Sequence, residues 1–107
     1  MGMFDDVICL HVLPGNPPAR IQRARFQTKD FECLLDQYTI TEAGAITIDL
    51  CGPAGNQTPT QALPFHGAFR FCHLDLALKK MLWWEYEATF THGALEEIKA
   101  IEAGVPV

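Results

Sequence analysis

Across residues 82–91 apolar and polar positions alternate without a break, with Leu82, Trp84, Tyr86, Ala88 and Phe90 on one side and Trp83, Glu85, Glu87, Thr89 and Thr91 on the other. Successive side chains of a strand point to opposite faces, so this pattern predicts a half-buried β-strand. His92-Gly93 follows and supplies the positive φ that a tight hairpin needs. The segment from Ala94 to Ile101 reads two ways, because Leu95, Ile98 and Ile101 lie three apart, as on a helix. A strand is preferred, since a two-residue loop delivers a pairing partner directly to residues 82–91.

Earlier in the chain, Val7, Ile8, Cys9, Leu10 and Val12 form a β-prone run from Asp6 to Leu13, which Pro14-Gly15-Asn16-Pro17-Pro18 ends. Tyr38 and Ile40 share a face, Glu42-Ala43-Gly44 interrupts, and Ile46, Ile48 and Leu50 then alternate with Thr47 and Asp49, which predicts a hairpin. The Gly- and Pro-rich stretch from Cys51 to Pro64 predicts a long loop. Phe69 and Phe71 mark a short strand. Leu74, Leu78 and Leu82, with Asp75 and Lys79 four apart, admit a turn or two of helix. These elements predict a single α+β domain spanning residues 1–107, dominated by an antiparallel sheet of about five or six strands with at most one short helix. Its predicted core is Tyr38, Ile40, Ile46, Ile48, Phe69, Phe71, Trp84, Tyr86 and Phe90.

Composition changes this picture little. Residues are 49% apolar, which argues against intrinsic disorder. The net charge of −5 is spread along the chain, as expected of ordinary solubility charge and not of a nucleic-acid mimic. The N-terminus has neither a cationic leader nor a long apolar stretch, so a cytoplasmic location is expected, with Cys9, Cys33, Cys51 and Cys72 reduced.

Candidate chemistry is sparse. The chain contains no serine, which excludes serine nucleophiles, and it has no phosphate loop, dinucleotide fingerprint or HExxH. Cys72 and His73 are adjacent and would face opposite sides of a strand, so they make a poor nucleophile and base pair. Cys9 and His11, two apart and joined by Cys72 or His73, are the zinc possibility, but core cysteines are the commoner outcome and no metal or cofactor is expected. Arg20, Arg23, Arg25 and Lys29 raise nucleic-acid binding, against a solvated loop paired with nearby carboxylates. Trp83 stands out because it sits among Glu85, Glu87, Thr89 and Thr91 on the polar side of the best strand. Either it marks a contact surface or a small second layer from residues 74–82 folds over it.

Met1-Gly2-Met3-Phe4-Asp5, the segment Phe26-Gln27-Thr28-Lys29-Asp30 with Cys33-Leu34-Leu35-Asp36 and Tyr38-Thr39-Ile40, and Trp84-Glu85-Tyr86-Glu87-Ala88 with Phe90 and Gly93 together resemble short proteins encoded by tailed phages and bacterial prophages. The likeness covers framework residues over most of the chain, apart from residues 51–64 and 74–82. It implies a mobile-element origin and a bacterial cytoplasm, and no activity. The resulting expectation is a non-enzymatic accessory protein that binds a host or phage protein, or a second copy of itself, through Trp83, Glu85 and Glu87. A small zinc-binding or nucleic-acid-binding module is the alternative.

Overall fold

A computed structural model describes residues 4–31, 36–49, 61–76 and 79–107. Among the described residues the strands are β1 (Asp5–Cys9), β2 (Arg25–Thr28), β3 (Gln37–Ile40), β4 (Ile46–Asp49), β5 (Gln61–Ala62), β6 (Gly67–Asp75), β7 (Leu82–Thr91) and β8 (Ala94–Pro106), with one short α-helix, α1 (Ala19–Gln22). All eight strands join one sheet in the order β5-β4-β3-β1-β2-β6-β7-β8. Pairing is antiparallel throughout except between β1 and β3, which run parallel. The mostly-β expectation holds, but the sheet is mixed and larger than the five or six strands expected.

The sheet curls until its far ends touch. Ala45, beside β4, bridges Ala94 at the start of β8, and the Leu95 N–H donates to the Gly44 carbonyl at 2.7 Å. Curling encloses the apolar side of every long strand against the others. Val7 and Cys9, Phe26, Tyr38 and Ile40, Ile46 and Ile48, Phe69 and Phe71, and Trp84, Tyr86, Ala88 and Phe90 are all buried there, joined by Leu13 and Ile21. All nine expected core residues are among them. Edge-to-face aromatic pairs run through the interior, Phe26 with Phe71 at 5.1 Å and with Tyr86 at 5.9 Å.

The sequence expectations need four corrections. The first apolar run stops being a strand at Cys9, leaving Leu10 and Val12 exposed while Leu13 turns inward. This irregular stretch is held by Gln22, whose Oε1 accepts the Leu13 N–H and whose Nε2 donates to the His11 carbonyl, both at 2.8 Å. Second, the basic run is not a loop. It forms α1, anchored by fully buried Ile21, and then β2, whose alternation is short enough to be hidden among charged neighbours. Third, Gln61 and Ala62 pair with β4 inside the span expected to be loop, while residues 50–60 lie outside the described set. Fourth, Leu74 and Asp75 continue β6, so no helix begins at Leu74; residues 77–78, in the middle of the span that admitted a helix, lie outside the described set. Asp75 is buried at the strand end, where Arg20 of α1 meets its Oδ2 at 3.0 Å.

β8 explains why a strand carries an apolar spacing of three. Its thirteen residues face the ten of β7, and the pairing skips Glu96, Ile101 and Gly104. Each skipped residue is a β-bulge that restarts the alternation, so Leu95 and Ile98 both face inward, against the core. The hairpin between the strands has φ of 48° at His92 and 86° at Gly93, the left-handed pair of a type I′ turn. At Gly104, φ is +69° and an added Cβ would lie 2.9 Å from Trp84 Cζ2. Gly104→Ala is therefore expected to cost about 1–2 kcal/mol in a denaturant titration, and an unchanged midpoint would show that this bulge is dispensable. No helix among the described residues is long and apolar enough to cross a membrane.

Candidate functional site

β7 presents Trp83, Glu85 and Glu87 on the outer face of the sheet, because their even-numbered neighbours fill the interior. Antiparallel register then decides what lies beside each of them. Leu74 of β6 and Val105 of β8 sit directly opposite Trp83, making a row of three apolar side chains across three strands. Leu74 and Val105 are each 40% exposed, and Met81 and Val107, joined by a backbone hydrogen bond at the strand ends, are also exposed. The indole N–H of Trp83 donates to Glu85 Oε1 at 3.0 Å, which turns the ring along the sheet surface.

Two clefts share Trp83, Cys72 and Gln27. One, of about 470 Å³, extends to Phe4, Lys29, Asp30, Arg70 and Glu85, and the other, of about 460 Å³, to Arg25, His73 and Leu74. Arg70 dominates the electrostatics of the first. Its Nε donates to Glu87 Oε2 at 3.2 Å and its guanidinium lies 3.6 Å from Glu85 Oε2. Glu87, followed by Glu85, holds this guanidinium above its usual pKa. Arg70 thereby offsets one of the two like charges that Glu85 and Glu87 place side by side. This cation comes from β6, where Arg70 stands on the outer face because it lies between the inward-facing Phe69 and Phe71.

The other candidates disperse. Cys9 is buried and its thiol donates to the His11 carbonyl at 3.3 Å, while His11 lies beyond the end of β1, so the two do not share a strand face. Cys72 pairs with Glu85 on the outer face and His73 with Trp84 on the inner one, so they do face opposite sides. Burial, reinforced by the charge of Glu85, pushes the Cys72 thiol above its ordinary pKa, opposite to what a nucleophile requires. Among the described residues, no group of three or more His, Cys, Asp or Glu is placed to hold a metal ion. Of the basic run, Arg20 is paired with Asp75 and Arg25 with Asp6 at 2.9 Å, carboxylates that the fold brings in from β6 and β1 and not the acidic residues that follow the run. Comparison with protein-family models, curated proteins and solved structures gives no match to this chain.

Proposed function

We propose that this protein is a non-enzymatic binding protein whose contact surface is the outer face around Trp83, and that its first partner is a second copy of itself. The observation that carries this is the Leu74–Trp83–Val105 row, which lays apolar area across three strands on the side of the sheet that would otherwise carry polar residues. Tryptophan is enriched at protein interfaces because its ring contributes large area at low entropic cost. A two-fold axis near Trp83 would set this row against its counterpart. Self-association is eased because Arg70 bridges Glu85 and Glu87, so the trio on each copy carries one net negative charge instead of two and the repulsion between apposed faces is reduced. The resemblance to short phage and prophage proteins, which carries no catalytic signature, supports an accessory role in a bacterial cytoplasm.

The test is Trp83→Thr, followed by mass in solution over a concentration series and by thermal melts. The wild type is expected to dimerise with rising concentration. The variant is expected to stay monomeric, with stability changed by less than about 1 kcal/mol, as for a surface site. A wild type that is monomeric at every concentration overturns self-association. A large stability loss in the variant with association intact makes Trp83 a packing residue.

A further inference from the structure

At the far end of β7 from Trp83, the rings of His66 and His92 stand with their centroids 4.9 Å apart and their planes at 36°. Both residues are exposed, and among the described residues no hydrogen bond or ion pair engages either ring. Their backbones are nonetheless fixed. His92 occupies the first left-handed position of the β7–β8 turn, and the N–H of Gly93 donates to the carbonyl of Phe65 at 2.7 Å, tying the residue after one histidine to the residue before the other. Phe65 is itself held by ring contacts with Phe31, Phe69 and Phe90. An added Cβ at Gly93 would meet the Leu63 carbonyl at 3.0 Å, so the turn is closely seated on the segment that leads to His66.

We propose that His66 and His92 form a two-imidazole chelate for an exchangeable late first-row divalent cation such as Ni(II) or Zn(II), with water completing the coordination. An imidazole nitrogen binds such an ion at about 2.0–2.1 Å, which puts each ring centre about 3.2 Å from the metal. Two rings at a coordination angle of about 90–110° then have centres about 4.5–5.2 Å apart, and the observed 4.9 Å falls inside that interval. Neutral imidazole pairs prefer ions of this class over magnesium or calcium, which seek oxygen ligands. The pair escaped the sequence reading because twenty-five intervening residues separate positions 66 and 92, and only the β6–β7 pairing brings them together. With two protein ligands and open coordination positions, the site differs in kind from a closed structural zinc centre.

Titration of the untagged protein with Ni(II) alone, followed by calorimetry, tests this. The wild type is expected to take up one equivalent. His66→Gln and His92→Asn should each weaken binding at least tenfold, because the chelate becomes a single contact, while His11→Ala and His73→Ala should bind as the wild type does. Asparagine tolerates positive φ, so His92→Asn preserves the turn, and an unchanged melting temperature in that variant confirms a folded hairpin. No uptake by the wild type, or uptake that survives both His66→Gln and His92→Asn, overturns the proposal.

Discussion

Truncating Phe90 to alanine is expected to remove about 3–5 kcal/mol of folding stability, the largest loss of any change considered for this protein. Phe90 is 1% exposed and stacks on Phe69 with ring centroids 6.0 Å apart, and Phe65, edge-on at 6.1 Å, completes a cluster of three rings in mutual contact. Its antiparallel partner is Gly67, which has no side chain, and Phe65 Cζ lies 3.6 Å from where a Cβ would stand there. Phe69 belongs to β6, which is paired with β2 on one side and β7 on the other, so it cannot collapse freely into the vacated volume, which places the cost toward the upper part of the range for large-to-small changes. Domains of this kind are stable by roughly 5–15 kcal/mol, so the variant should unfold at markedly lower denaturant. Urea titrations of wild type and variant measure the difference. A loss below about 1 kcal/mol, the size typical of surface substitutions, would place the ring outside the core and undo the inward assignment of the even-numbered residues of β7.

That assignment was legible in the sequence because β7 obeys one rule for ten residues, and a period of two over such a length has no competing explanation. The hairpins at 41–45 and 92–93 were legible for a similar reason, since Gly44 and Gly93 adopt the positive φ that the turns require. Legibility failed where a strand was short or irregular. β2 and β5 contain four and two residues, too few for a period to emerge from charged or proline-rich surroundings. The bulges of β8 replaced alternation by a spacing of three, and only the need of β7 for a partner favoured the strand. The parallel pairing of β1 with β3 had no local signature. Beside it, the buried carboxylate of Asp5 accepts the N–H of Asp36 at its Oδ1, a contact between segments far apart along the chain.

Of the candidate site, Trp83, Glu85 and Glu87 could be placed on one outer face from the sequence, because period two decides that by itself. Their surroundings could not. Leu74, Val105 and Arg70 reach Trp83 and its neighbours through the register of β6 and β8, and a single residue of slip in either strand would have brought the opposite set of side chains outward. The spacing of Leu74 from Leu78 and Leu82 fits a helix, and no local pattern shows that Leu74 belongs to the end of β6.

Raising the pH from 9 to 11 is expected to cost the fold on the order of 2–3 kcal/mol through Cys9 alone. Burial pushes this thiol from an ordinary 9.0 up to about 11, whereas the unfolded chain releases the proton near 9. A raised acid pKa means that the native state holds its proton where the unfolded state has lost it. The stabilisation is therefore complete below pH 9, declines through the interval between the two values, and is gone above pH 11. Burial raises the Tyr86 hydroxyl as well, with Cys9 adding to the effect, so the second ionisation in this region opposes the first. The two can be separated. The Tyr86 hydroxyl is buried without a hydrogen-bond partner among the described residues, so Tyr86→Phe should leave stability at neutral pH unchanged or slightly higher while the alkaline loss from Cys9 persists. Cys9→Ala should be less stable than wild type at pH 7.5 because of the cavity it leaves, but the gap should narrow by about 2 kcal/mol by pH 10.5, since the variant lacks the Cys9 thiol. A gap that stays constant across that range, measured by denaturant titration at each pH, would mean that Cys9 ionises as freely in the folded protein as in the unfolded chain and that the interior around it is open to water.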